Sequence, residues 1–156
     1  MPNWCSNYVQ FDGTAGQLKQ LQRLFEAMAA EEEKQGCGQL PDFIAPKRGY
    51  FFSLHCAGDV LYYHTKRRPN SAVMVEIAHR FNVNFIHRYD EPGMLIFGEV
   101  EYRNGEITMA QLEDADFDLF EYDRDKGVWK FEGGEYENDD EIKKTLLVRK
   151  QYKKMN

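Results

Sequence analysis

Hydrophobic spacing changes three times between Asp59 and Ile107. Val60–Arg67 is β-branched and aromatic, which predicts a strand. Ser71–Asn82 sets Val73, Ile77 and Phe81, with Met74 and Ala78, at helical spacing. Val83–Gly93 and Met94–Ile107 return to strand chemistry, with a turn expected at Pro92-Gly93 (proline fixing φ, glycine accepting a positive φ) and another at Asn104-Gly105. Upstream, Tyr8, Val9 and Phe11 predict a first strand ended by Asp12-Gly13. Thr14 suits an N-cap. Leu18, Leu21, Leu24, Phe25 and Met28 form the apolar stripe of a helix that should run to Gln35, with Gly36 closing it. Cys37–Lys47, with Pro41 and Pro46, reads as a loop. Gly49–Cys56 reads as a second strand joined to the third by a short hairpin at Ala57-Gly58. The order β-α-β-β-α-β is that of a ferredoxin-like α+β sandwich, an antiparallel sheet with both helices on one face. One extra strand should pair antiparallel with the fourth.

Past Gly105 the pattern weakens, and the chain divides into a ferredoxin-like domain over residues 1–107 and an appendage over 108–156. Thr108–Glu113 suggests a helical turn. Phe117–Tyr122 and Val128–Phe131 flank Asp123–Gly127 as an acidic hairpin. Asn138–Glu141 should cap a short last helix to about Tyr152, its acids leading and its lysines trailing as the helix dipole favours.

Composition changes this picture through charge. The formal net charge is −6 over 156 residues. It is segregated: −2 over residues 1–112, −10 over 113–141 and +6 over 142–156. An acidic segment repels a phosphate backbone and attracts a basic protein surface. The hydrophobic share of 42% suffices for a core, and no apolar run reaches the length of a membrane span. The start shows no basic region followed by an apolar stretch, and Cys5, Cys37 and Cys56 are widely spaced. These features give the expectation of a soluble, cytoplasmic chain with free thiols and no membrane partner. They leave the oligomeric state open.

The opening MPNWCSN, the run YDEPGMLIFGEVEYRNGEI (Tyr89–Ile107) and the strand-helix spacing across Val60–Asn82 resemble the YubB ferredoxin-like domain family. That family comprises small plasmid and bacteriophage proteins. The resemblance covers residues 1–107. It implies a ferredoxin-like fold and a mobile-element setting, and it carries no established activity. Where the family has Trp-Ser-Pro-Pro, this chain has Arg67-Arg68-Pro69-Asn70, and the family's Gly-Thr-Lys-Trp-Asp stretch before the second strand is not recognisable.

Candidate chemistry is sparse. His55, His64, His79 and His87 are the possible bases, Glu91 and Asp59 the possible acids, and Glu76 lies three residues before His79. No nucleophile elbow, zinc-protease motif or glycine-rich phosphate loop is present. His and Cys spacings do not fit a metal site. The expectation is a non-enzymatic protein with no metal and no cofactor. Its leading reading is a mobile-element accessory protein that binds a host macromolecule, a protein with a basic surface, in the manner of a DNA-mimicking inhibitor. Asp114, Asp116 and Asp118 alternate with apolar residues, so in an extended strand they share one face. Glu121, Asp123 and Asp125 continue it, with Phe117, Phe120, Tyr122 and Trp129 as anchors. The alternative is a single-stranded RNA- or DNA-binding module using an aromatic sheet face. Residues 48–55 fit the RNA-recognition motif in part: Arg48, Gly49, Tyr50 and Phe52 match it and Phe51, Ser53 and His55 do not, while Lys66, Arg67 and Arg68 lie nearby to hold a phosphate.

Overall fold

The computed structural model describes residues 3–45 and 48–155, with side chains to Gln151. Met1 and Pro2 of the opening motif and Pro46 and Lys47 of the loop lie outside the described residues. So do the side chains of Tyr152, Lys153 and Lys154. Strand β1 (Trp4–Asp12) leads through helix α1 (Ala15–Gln35) to the hairpin β2 (Phe52–Ala57) and β3 (Val60–Lys66), then through α2 (Ser71–Phe81) to β4 (Asn84–Glu91). The sheet order is β2-β3-β1-β4-β5-β6, with every neighbour pair antiparallel. Its first four strands in this order form a ferredoxin-like sandwich.

Local chemistry accounts for these elements. Thr14 and Gln17 form a reciprocal capping box at the head of α1, and Gly36 ends the helix in the left-handed region. Alternate residues of the central strands, among them Cys5, Val9, Phe11, Leu61, Tyr63, Phe85 and Tyr89, face α1 and α2. Leu21, Phe25, Met74 and Ile77 close that core from the helices.

Two details differ from expectation. First, the turn after β4 is a 3-10 turn over Pro92–Met94, and the left-handed residue is Leu95 rather than Gly93. Glu91 is buried and accepts from the amides of Gly93 and Met94, so its carboxylate caps its own turn. Second, the sheet gains two strands beyond the fourth. Strand β5 (Ile96–Arg103) turns at Asn104-Gly105, both left-handed, into β6 (Glu106–Gln111). The residues read as a helical turn are therefore mostly strand, and the division at Ile107 falls inside β6. Of β6, only Ala110 is buried, so its alternation carries little hydrophobic contrast.

Beyond β6 lie α3 (Asp114–Phe117), a small antiparallel sheet of β7 (Glu121–Asp123), β8 (Val128–Phe131) and β9 (Gly134–Tyr136), and α4 (Asp140–Met155). The β7–β8 hairpin turns where the sequence suggests, and β9 is additional. Ile142, Leu146 and Leu147 of α4 pack with Phe97 of β5, Ala110 of β6, Leu112, Phe120 and Phe131 in a second core. Asp90 and Phe97 are cross-strand partners, and Asp90 pairs with Lys143 at 2.8 Å. Helix α4 thereby covers the β4-β5-β6 side of the face opposite α1 and α2. None of the described helices is long and apolar enough to cross a membrane.

Candidate functional site

The acidic residues do not form the face that alternation suggested. Asp114 and Asp116 lie in one helical turn, where residues two apart point to different sides. Glu113 and Asp116 cap each other's backbone, a local pairing that outcompetes extension. Asp116 also meets Lys150 at 2.9 Å. Asp123 accepts from the amides of Asp125 and Lys126 and pairs with Lys130 at 3.0 Å, which holds its carboxyl below the usual range. Glu132 pairs with Arg149, and Asp140 with Lys144. Phe120 is 9% exposed and belongs to the second core, so it is no surface anchor. Trp129 packs between Phe120 and the exposed Tyr122. Asp114 and Asp118, at the two ends of α3, Glu121 in β7 and Asp125 in the hairpin turn stay exposed, spread over three elements.

A different surface is left open. Because α4 docks over β4-β5-β6, the outer face of β2, β3 and β1 is covered by no described helix, and the segment at Gly38 lies against its Phe52. Its register sets Trp4 opposite Lys66, Ser6 opposite His64 and Tyr8 opposite Tyr62. Trp4 is 42% exposed and Tyr62 47% exposed. Trp4 meets the Phe52 ring edge-on at 5.0 Å, and Tyr8 meets Tyr62 at 5.2 Å. Across β1 from Tyr62, the lane is bordered by Arg88, which is paired with Glu99, and by Asp140 and Lys144 at the start of α4. The lane is about three strands wide, on the order of 10–15 Å.

At the end of β3 this lane opens into a cleft of about 670 Å³. Arg48, Tyr50, Phe52, Lys66, Arg67 and Arg68 all line it, so the fold brings the six nucleic-acid candidates together. Phe51, between two of them, points the other way into the core at 0% exposed. Lys66 lies over the Phe52 ring. Among the described residues, none of the four bases forms an ion pair.

A buried polar network holds the cleft. Asn7 donates to Thr65 Oγ1 and to the Cys5 carbonyl, so its Oδ1 is left to accept from His87 Nε2 at 2.8 Å. His87 Nδ1 then accepts from Ser71 Oγ at 3.0 Å. Burial pulls the His87 pKa down to about 3, which keeps the ring neutral. Tyr63 donates to Asn70 Oδ1 at 2.6 Å, and Asn70 Nδ2 donates to the Gly49 carbonyl. Occupied this way, the Asn70 side chain makes no cap bond to α2. Thr65 Oγ1 donates to the Arg68 carbonyl at 2.7 Å. Tyr63 Oη also lies 3.4 Å from His87 Nε2, and this contact joins both backbone segments bearing the bases to one network.

Sequence reasoning leaves Trp4 open between core and surface, and it missed Tyr8 and Tyr62 as lane residues and Asn7, Thr65, Asn70 and Ser71 as supports. The period-two split of β1 into Cys5, Asn7, Val9 and Phe11 against Trp4, Ser6, Tyr8 and Gln10 carries the signal for the lane. His87, a candidate base by sequence, is fully buried within the network.

The helix-backed antiparallel sheet defines a ferredoxin-like α+β domain. Residues 49–132 match the family described as the ferredoxin-like domain in Api92-like protein; this is more than half of the chain, and the protein belongs to that family. The matched segment runs from the cleft through β8 and so crosses position 107. No curated protein and no solved structure matches the chain.

Proposed function

We propose that the protein is a non-enzymatic module that binds single-stranded RNA or DNA along the open lane of its sheet. The observation that carries this reading is the meeting of exposed aromatic rings with a cleft, at the end of β3, lined by four bases that form no ion pair among the described residues. Aromatic faces stack on unpaired bases and are worth about 1–3 kcal/mol per base. A duplex hides its base faces, and the start of α4 bounds the lane on its β1 side. The net charge of −6 weighs little on the lane, because the excess of acid lies in residues 113–141, whereas residues 1–112, which hold the lane and the cleft, total only −2. The protein-capture reading required an extended carboxylate face, which α3 does not form.

Kinship with the YubB family, supported by the opening motif and the Tyr89–Ile107 run, belongs to the same proposal. With it go a plasmid or phage setting and a cytoplasmic location. The test is fluorescence anisotropy with short single-stranded RNA, single-stranded DNA and a duplex, at about 50 and about 200 mM salt. Single strands should bind, duplex should bind poorly, and affinity should fall as salt rises. Absence of single-strand binding at the lower salt, or equal binding of duplex, would overturn the proposal.

A further inference from the structure

Resting on the single-strand reading, we propose that the cleft at the end of β3 holds a terminal phosphate monoester of the bound strand, with the adjoining bases stacked along the lane. Charge distribution is the first reason. Ser6, Tyr8, Gln10 and Tyr62 along the lane are uncharged, and Arg88 at its border is neutralised by Glu99. A surface that grips internal phosphodiesters spreads its cations along the strand's path. Here Arg48, Lys66, Arg67 and Arg68 gather at one end.

The second reason is the match of charge and donors. An internal phosphodiester carries one negative charge, whereas a terminal monoester carries about −1.5 to −2 at neutral pH and offers three strong acceptor oxygens. Three guanidinium groups and an ammonium supply many donors in forked geometry, which suits the monoester better.

The third reason is that the protein's own hydrogen bonds fix the backbone of the cleft. The Arg67 amide donates to the Asn3 carbonyl at 2.7 Å, and Arg67 sits at φ 70, a left-handed conformation unusual for a residue with a side chain. Thr65 fixes the Arg68 carbonyl and Asn70 fixes that of Gly49. The cleft is continuous with the lane, since Phe52 and Lys66 line it while Phe52 packs on Trp4 and Lys66 pairs with Trp4 across the strands.

The experiment compares one short single strand with a 5′-phosphate, with a 3′-phosphate, or with hydroxyls at both ends, titrated into the full chain. One phosphorylated form should bind about tenfold or more tighter than the hydroxyl form. Inorganic phosphate should remove that advantage and leave hydroxyl-form binding unchanged. The double substitution Arg67→Ala/Arg68→Ala should do the same. Equal binding of all three forms would overturn the terminal-phosphate inference and leave single-strand binding intact. No binding of any form would overturn both. The phosphate competition uses the unaltered protein, so the inference remains testable even if the double variant fails to fold.

Discussion

Two regions of this molecule use basic residues in opposite ways. In the appendage, Lys143 meets Asp90, Lys144 meets Asp140, Arg149 meets Glu132 and Lys150 meets Asp116. In the cleft, Arg48, Lys66, Arg67 and Arg68 line one space with no carboxylate partner among the described residues. The appendage looks highly charged in sequence, yet its bases are largely paired, and Lys143, Arg149 and Lys150 tie α4 to the rest of the chain. The cleft sits in a segment of nearly balanced charge and still presents its cations outward. A partner meets charge that is not already paired, and segment totals do not report it.

The sharpest way to break the comparison is to cut the docking of α4. Lys143 is only 3% exposed and lies 2.8 Å from Asp90. Removing one partner of a buried pair leaves an uncompensated charge, so Lys143→Ala is expected to cost about 3–5 kcal/mol in urea denaturation. Lys143→Met with Asp90→Asn should recover most of that. An unchanged urea midpoint for Lys143→Ala would mean that α4 is not held there.

Next in size are the lane aromatics. Trp4→Ala and Tyr62→Ala are each expected to weaken single-strand binding by about 10- to 100-fold, from the loss of one stacked base. Both side chains are substantially exposed, so the thermal midpoint should move little.

The two faces of β4, His87 toward the cleft's network and Asp90 toward α4, should respond to pH with opposite signs. His87 has its pKa lowered to about 3 by burial, so the unfolded chain binds the extra proton between that value and the ordinary one near 6.5. Stability from His87 is full above about pH 6.5 and falls by roughly 1.4 kcal/mol per pH unit on acidification through that window. Asp90 has its pKa raised, chiefly by burial and against the pull of Lys143, so its contribution declines as pH rises from the unfolded carboxylate pKa to the folded one. Urea midpoints from pH 7 to 4 should fall steeply for the natural chain and less steeply for His87→Gln. Parallel curves would rule out the buried neutral ring as the cause.

The smallest expected effect is at the acidic residues. Asp114→Lys with Asp118→Lys should alter oligonucleotide affinity by less than about twofold, since both lie on the appendage and surface charges act weakly at a distance. A large gain would show that these carboxylates repel the strand directly.

Legibility in the sequence followed locality. The caps of α1, the Asn104-Gly105 turn and the second helix could be read because neighbours within four residues decide them. Strand β6 was not legible because Ile107 and Met109 are exposed at a sheet edge, where alternation loses its meaning. The Asp114–Asp118 alternation suggested a strand, but Glu113 and Asp116 close a capping box over three residues. The basic cluster was legible as residue types, and five of its six candidate lining residues are exposed or edge positions flanking the strands. The lane was hidden because its openness depends on where α4 docks. That docking is set by contacts such as Lys143 with Asp90, 53 residues apart.

The chain has two tryptophans, Trp4 in the lane and Trp129 in the appendage, so each region carries its own fluorescent reporter. The decisive measurement is oligonucleotide titration of Trp129→Phe and Trp4→Phe, followed by tryptophan emission. A base stacking on Trp4 should quench the Trp129→Phe variant and leave the Trp4→Phe variant unchanged. Quenching seen only when Trp129 is the remaining reporter would place the contact on the appendage and contradict the account.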